Sequence, residues 1–283
     1  MEELTQHLDH AYRELRQSWA THWAGLPRAV SGAVQWLCGP RCNQDTREHR
    51  HQLASLLKCA EVVEFAGETL ALEVQEPPYH NRLHIADTVV GMAAFLRARR
   101  LCVQHPRVGH PMSRSEFYCL AAMVLHDFGH DGRTNEFPRQ IEQASIKSFS
   151  PHVRGCGLSA RDWSLLQRLI LETDPRFVGD VHARLSDAMA AESGDELSFE
   201  EMAVLVVEAD VLASALKFPG EDLTLGLIEE WAPRYPDRAK QLSSPTGRQD
   251  FLRFGARFTS TSARMLGIPD LVAKQIYAPD PQM

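Results

Sequence analysis

The stretch Leu120–Asn135, LAAMVLHDFGHDGRTN, constrains this chain more than any other part of it. From Phe117 to Leu125 the residues are apolar with no polar stripe, which predicts a helix buried on every side. Ser113 with Glu116 three residues on forms a capping box that starts it. The helix then runs straight into His126, Asp127, His130 and Asn135. Imidazole and carboxylate are costly to bury unless something binds them, and a divalent cation takes both together.

The rest of the chain supports one helical body around that stretch. Helical spacing predominates, with no convincing alternating strand pattern. An amphipathic helix is expected over residues 2–23, with Leu4, Leu8, Tyr12, Leu15 and Trp19 on one face. Residues 26–45 are expected in short pieces, then helices over 52–74 and 79–100, the latter opened by Pro77 and Pro78. Short helices follow over 141–149 and 159–172, and Thr173-Asp174-Pro175 ends the second. Residues 179–197 are polar and acidic and read as a mobile surface segment. Ser198 and Glu201 give a second capping box before the apolar run Met202–Val207, and 248–266 is expected as the last strong helix. The fold class is therefore all-α: a compact single-domain bundle over 1–283, with 1–75 as an amino-terminal subregion and 76–270 carrying the site.

Of the 283 residues 44% are hydrophobic, enough for a substantial core, and the net charge of −7 argues against a nucleic-acid groove. No apolar run approaches the ~20 residues of a membrane span. The charged, amphipathic start lacks a secretory layout, and the six cysteines make no CxxC pair. A reduced, cytoplasmic protein without membrane or nucleic-acid partners is expected, and a homodimer is left open.

Two further patches join the central one. In Tyr79-His80-Asn81-Arg82-Leu83-His84-Ile85-Ala86-Asp87 the histidines stand four apart and share a helix face, as ligands or as a surface pair. Glu208-Ala209-Asp210 closes an apolar run, either as an ordinary helix end in solvent or as acids that need a cation. An acid at a helix carboxyl end opposes the macrodipole, which favours the cation mildly.

Together these patches resemble the catalytic domain of class I 3′,5′-cyclic nucleotide phosphodiesterases, an HD-like all-helical fold, over roughly residues 76–254. The resemblance rests on HDxxHxGxxN at His126–Asn135, YHNxxHxxD at Tyr79–Asp87, and the downstream Asp210. It implies His84, His126, Asp127 and Asp210 as metal ligands, with Asp127 bridging Zn2+ to a second ion, Mg2+ or Mn2+. His80 matches the general acid. Glu142 matches a glutamate that supports the attacking water and the acid. His130, Asn135, Asp87 and Asp174 are implied as supporting positions around the site. Tyr79, Phe251 and either Arg248 or Gln249 are implied at the substrate, with Phe251 as clamp or simply core. Arg248 stands where the family places its base-reading glutamine, and a one-residue helix irregularity would bring Gln249 there instead. Two cations ~3.5–4 Å apart would activate water for in-line attack on phosphorus, while a histidine protonates the 3′ leaving oxygen. The implied activity is hydrolysis of cyclic AMP, cyclic GMP or both. The alternatives are another HD-superfamily metallophosphohydrolase acting on a different phosphoester, or a non-catalytic cyclic nucleotide binder.

Overall fold

A computed structural model describes residues 2–39, 46–73, 75–102, 109–188, 196–244 and 246–277. Among them the regular structure is all helical. In chain order the helices are α1 (Glu2–Thr21), α2 (Leu26–Cys38), α3 (Arg47–Leu72), α4 (Arg82–Cys102), α5 (Arg114–Leu125), α6 (Gln140–Phe149) and α7 (Ala160–Leu171). There follow α8 (Val178–Ala188), α9 (Phe199–Ala215), α10 (Lys217–Trp231), α11 (Pro236–Leu242), α12 (Gly247–Asp250), α13 (Thr261–Met265) and α14 (Ile268–Ile276).

Helix α4 is the axis. Every residue from His84 to Leu96 is buried, because α1, α2, α5, α9 and α13 pack around it. Small residues make that crowding feasible. A side chain at Gly91 would meet Tyr12 Oη at 2.9 Å and Leu212 Cδ2 at 3.1 Å, so α1 and α9 both close on this point. Helix α5 is buried from Ser115 to Leu125, as the unbroken apolar run predicts, and its capping box of Ser113 and Glu116 is formed. Burying side chains such as Leu120, Met123 and Leu125 contributes about 1.5–3 kcal/mol each. That burial holds the end of α5, and hence His126, deep in the molecule.

Several local expectations are corrected. Residues 26–38 form one helix rather than short pieces, because Pro27 lies in its first turn, where proline needs no donor. Helix α4 begins at Arg82 instead of Tyr79: the Asn81 side chain accepts from the N–H groups of Leu83 (2.9 Å) and His84 (3.1 Å) and caps it there. The acidic segment is helical over Val178–Ala188, while 189–195 lie outside the described residues. The expected helix 248–266 is broken. It becomes α12, a π-turn over Phe251–Gly255 closed by Ala256 N–H to Phe251 C=O (2.9 Å), an extended link, and α13 capped by Ser260. The irregularity falls just after Gln249.

Candidate metal centre and catalytic site

Three helices bring the four expected ligands together. His84 sits in the first turn of α4, His126 and Asp127 follow the last turn of α5, and Asp210 lies inside α9. The expectation that Asp210 ends its helix is corrected: α9 continues to Ala215, so the macrodipole has no part in its placement. His84 Nε2 lies 3.4 Å from both Asp127 Oδ2 and Asp210 Oδ1. His126 Nε2 lies 3.2 and 3.3 Å from the same two oxygens. Donors ~2.1 Å from one ion at tetrahedral angles stand ~3.4 Å apart, and the four His–Asp spacings match that length.

The hydrogen bonds agree with that geometry. His126 Nδ1 donates to the Met123 carbonyl (2.9 Å), which leaves Nε2 as the lone-pair nitrogen. Nε2 is buried and faces the Asp127 and Asp210 carboxylates, where a cation between them would meet its lone pair. Burial alone would depress the His84 imidazole, yet hydrogen bonds and charge from Asp127 and Asp210 hold it up to about 9. Burial works against Asp210 as well, but the facing imidazoles bring it down to about 2, and Asp127 falls well below its ordinary range. Two half-buried carboxylates facing the same pair of imidazoles thus demand positive charge, from protons or from a metal ion. The donor set fits a divalent cation.

Beside this cluster stands His80. Its ring stacks face to face on His130, with centroids 3.6 Å apart at 19°, and its Nδ1 lies 2.6 Å from Glu230 Oε1. The other oxygen of Glu230 accepts the backbone N–H groups of Tyr79 (2.9 Å) and His80 (3.0 Å). Burial would raise the Glu230 carboxyl, but His80 and these N–H donors hold it below its usual value, so it is an anion. Gly132 makes room for it: with φ of 77° it bends past Glu230, whose Cγ stands 3.0 Å from where a side chain would begin. The carboxylate that orients His80 is therefore Glu230 on α10, which corrects the expectation that Glu142 supports the acid. No motif spacing in the sequence singles out Glu230.

Glu142 belongs to a neighbouring network. Asn135 Nδ2 donates to both of its oxygens (3.1 Å each), and Asn135 Oδ1 accepts from Ile141 N–H (2.8 Å). Burial, with the charges of Asp174 and Asp127, outweighs the Asn135 bond and lifts Glu142 to about 7. Asp174 is fully buried and accepts from Arg139 N–H (2.7 Å) and Arg176 N–H (3.0 Å), fixing the start of α6. His130 Nδ1 accepts from Gly132 N–H (3.0 Å), and burial together with His80 lowers it to about 4, so it is neutral.

Other expected residues serve differently. Asp87 is paired with Arg16 of α1 through two 2.8 Å bonds, and these tie the amino-terminal helix to the ligand helix. Tyr79 packs over His84 (ring centroids 4.8 Å), with its hydroxyl 2.9 Å from Ser214 Oγ. Arg248 is corrected as a base reader. Its guanidinium is engaged by the carbonyls of Ser214 (3.1 Å) and Leu216 (2.9 Å) and by Gln275 (2.9 Å), where it caps the end of α9. Gln249 and Phe251 are both half-buried, and Phe251 packs against the core.

The chain is similar to known proteins in part of its sequence and in its fold. No family model matches the chain. A probable 3′,5′-cyclic phosphodiesterase, pde-3 of Caenorhabditis elegans, is 31% identical over 113 residues, or 33% of this chain. The chain covers only 17% of the length of that relative. The structure of LmjPDEB1 in complex with IBMX superposes with a TM-score of 0.54 at 15% identity, covering 88% of this chain and 95% of that one. The fold is that of the all-helical phosphodiesterase catalytic domain.

Proposed function

We propose that this chain is a divalent-metal-dependent hydrolase of 3′,5′-cyclic nucleotides, taking cyclic AMP, cyclic GMP or both to the 5′-monophosphate. The observation that carries the reading is the juxtaposition of a four-donor cluster with a carboxylate-oriented histidine, His80 on Glu230. A metal site alone fits many phosphoesterases. A dedicated acid beside it fits an unactivated alkoxide leaving group. The local likeness to pde-3 and the shared fold support the same class.

In this reading His84, His126, Asp127 and Asp210 would hold Zn2+, and Asp127 would also serve a second ion, Mg2+ or Mn2+. When bound, the cations supply positive charge to the phosphoryl oxygens and acidify the attacking water. Glu230 takes the Nδ1 proton of His80 in a hydrogen bond, and Nε2 is left to deliver a proton to the departing 3′ oxygen. The neutral His130 ring clamps His80 from one face without adding a competing charge. Glu142, held by Asn135, is placed to accept a hydrogen bond at the water side of the site. Phe251 stacks on the base and Gln249 meets its edge, and an amide that both donates and accepts serves adenine or guanine. Residues 1–283 act as one catalytic unit, with α1 bracing α4 through Arg16.

The test is His80→Ala assayed on two substrates. Turnover of the cyclic nucleotide should fall about 10²–10⁴-fold with metal content unchanged. A nitrophenyl phosphodiester, whose leaving group needs no proton, should lose far less. Equal losses on both would remove His80 from the role of acid.

A further inference from the structure

His80 stands on irregular backbone. Residues 75–81 precede α4 without forming a helical turn, and Pro77 and Pro78 have no N–H to give. A proton donor on such a segment needs other groups to fix its place. Glu230 holds the segment from α10. A second carboxylate holds it across its own two ends. Glu76 Oε1 accepts the Arg82 N–H (3.2 Å) and Nε–H (2.9 Å), and Glu76 Oε2 accepts from Arg82 Nη2 (3.0 Å). Residues 77–81 are thereby closed into a loop that carries Tyr79 and His80. Inside the loop the Asn81 side chain donates to the Pro78 carbonyl (2.8 Å).

The arginine side of this clasp is set in the core. Arg82 is buried, its Nη1 donates to Glu64 Oε1, and its guanidinium lies over the Trp19 ring, 5.4 Å from the centroid. Glu64 of α3 is fixed in turn, since it also accepts from Trp23 Nε1 (2.9 Å) and from the Leu26 N–H. Three residues beyond Glu64, Gly67 leaves the space through which the arginine passes: a side chain there would begin 2.5 Å from Arg82 Cδ. The planar fork of one guanidinium thus serves two carboxylates at once, which the point charge of a lysine does not match. Arg82 also stands in the first turn of α4, two residues before the expected ligand His84. The clasp therefore joins the loop of His80 to the frame of the metal cluster.

We propose that Glu76 and Arg82 are positioning residues for the proton donor His80, an inference that rests on the hydrolytic reading of the site. The two restraints on His80 divide the work. Glu230 turns the ring from α10, while the clasp sets how far the loop stands from α4 and hence from the metal cluster. Opening the clasp should therefore harm proton delivery to the leaving oxygen more than it harms metal binding or attack on phosphorus.

Glu76→Ala is the cleanest probe, because Arg82 keeps its Glu64 partner and no buried charge is stranded. The full chain and the variant are supplied with Zn2+ and Mg2+, measured for metal content, and assayed on cyclic AMP, cyclic GMP and a nitrophenyl phosphodiester. For the cyclic nucleotide that the wild type hydrolyses, kcat should fall about 10–10²-fold with KM and metal content unchanged. The nitrophenyl substrate, whose leaving group needs no proton, should stay near the wild-type rate. Glu76→Gln keeps an oxygen for the Arg82 N–H and should lose less than Glu76→Ala. Should the alanine variant lose its metal, the glutamine variant decides by the same split between substrates. Undiminished turnover of the cyclic nucleotide, or equal losses on both substrates in both variants, overturns the proposal. A wild type that hydrolyses neither cyclic nucleotide fails earlier, at the hydrolytic reading itself, and takes the proposal with it.

Discussion

His80 Nδ1 and Glu230 Oε1 lie 2.6 Å apart although 150 positions separate the two residues in the chain. Glu230 also accepts the backbone N–H groups of Tyr79 and His80, so a single carboxylate fixes both the ring and the segment that carries it. Glu230→Gln should keep its metal and fold and lose about 10–10² in kcat, as for other residues that orient a working histidine. The loss should shrink on a nitrophenyl phosphodiester. Undiminished turnover of the cyclic nucleotide would show that the pair has no part in proton delivery.

Much of the site is legible in the sequence because its chemistry is local there. His84, His126 and Asp127 lie in short motifs next to helix ends, and the burial of the two histidines follows from the apolar residues that flank them. Glu230 is hidden for the opposite reason. Its partner is 150 residues away, and a glutamate near a helix end looks the same whether it meets solvent or an imidazole. The break in 248–266 is hidden too, since it goes with a long-range contact: Glu208 of α9 accepts the Thr259 and Ser260 N–H groups (2.5 and 2.8 Å) just where Ser260 caps α13. Arg248 reads as a substrate residue by position, yet the Ser214 and Leu216 carbonyls at the end of α9 claim it.

That claim sets a second prediction. Arg248→Ala should lower stability by about 1–3 kcal/mol, the cost of leaving the Ser214 carbonyl unpaired, without changing the ratio of kcat/KM for cyclic AMP and cyclic GMP. Gln249→Ala should change that ratio or raise both KM values. A shifted ratio in the arginine variant alone would reverse the assignment.

The Arg16–Asp87 pair offers a test of how α1 supports the site. Asp87 is fully buried, and Arg16 is its bidentate partner. Arg16→Met strands the carboxylate and should cost about 3–5 kcal/mol in urea unfolding. Adding Asp87→Asn should restore part of that loss by removing the stranded charge. A cost below about 1 kcal/mol for the single variant would mean that α1 is dispensable to α4.

Glu208 predicts a pH dependence of stability. Burial outweighs the bonds from Thr259 and Ser260 and raises its carboxyl to about 7 in the folded protein. The folded state therefore holds a proton that the unfolded chain releases near its ordinary value. The resulting stabilisation is full in acid and is lost as pH rises towards and through 7, by about 2–3 kcal/mol. Glu208→Gln keeps one acceptor for the N–H groups but cannot titrate. Its unfolding free energy, compared with wild type at pH 5 and pH 8, should lack that part of the slope. Parallel curves for the two proteins would rule out Glu208 as the source of the pH dependence.

The most direct measurement is chromatographic turnover of cyclic AMP and cyclic GMP by purified protein, run beside Asp127→Ala. Each protein is stripped with chelator and then supplied with Zn2+ and Mg2+. The wild type should produce the 5′-monophosphate, stop on chelation, and recover when the ions return, while the variant yields no product under any condition and retains less metal. Turnover that survives chelation, or an Asp127→Ala protein as active as wild type, would contradict a metal-dependent cyclic nucleotide hydrolase at this cluster.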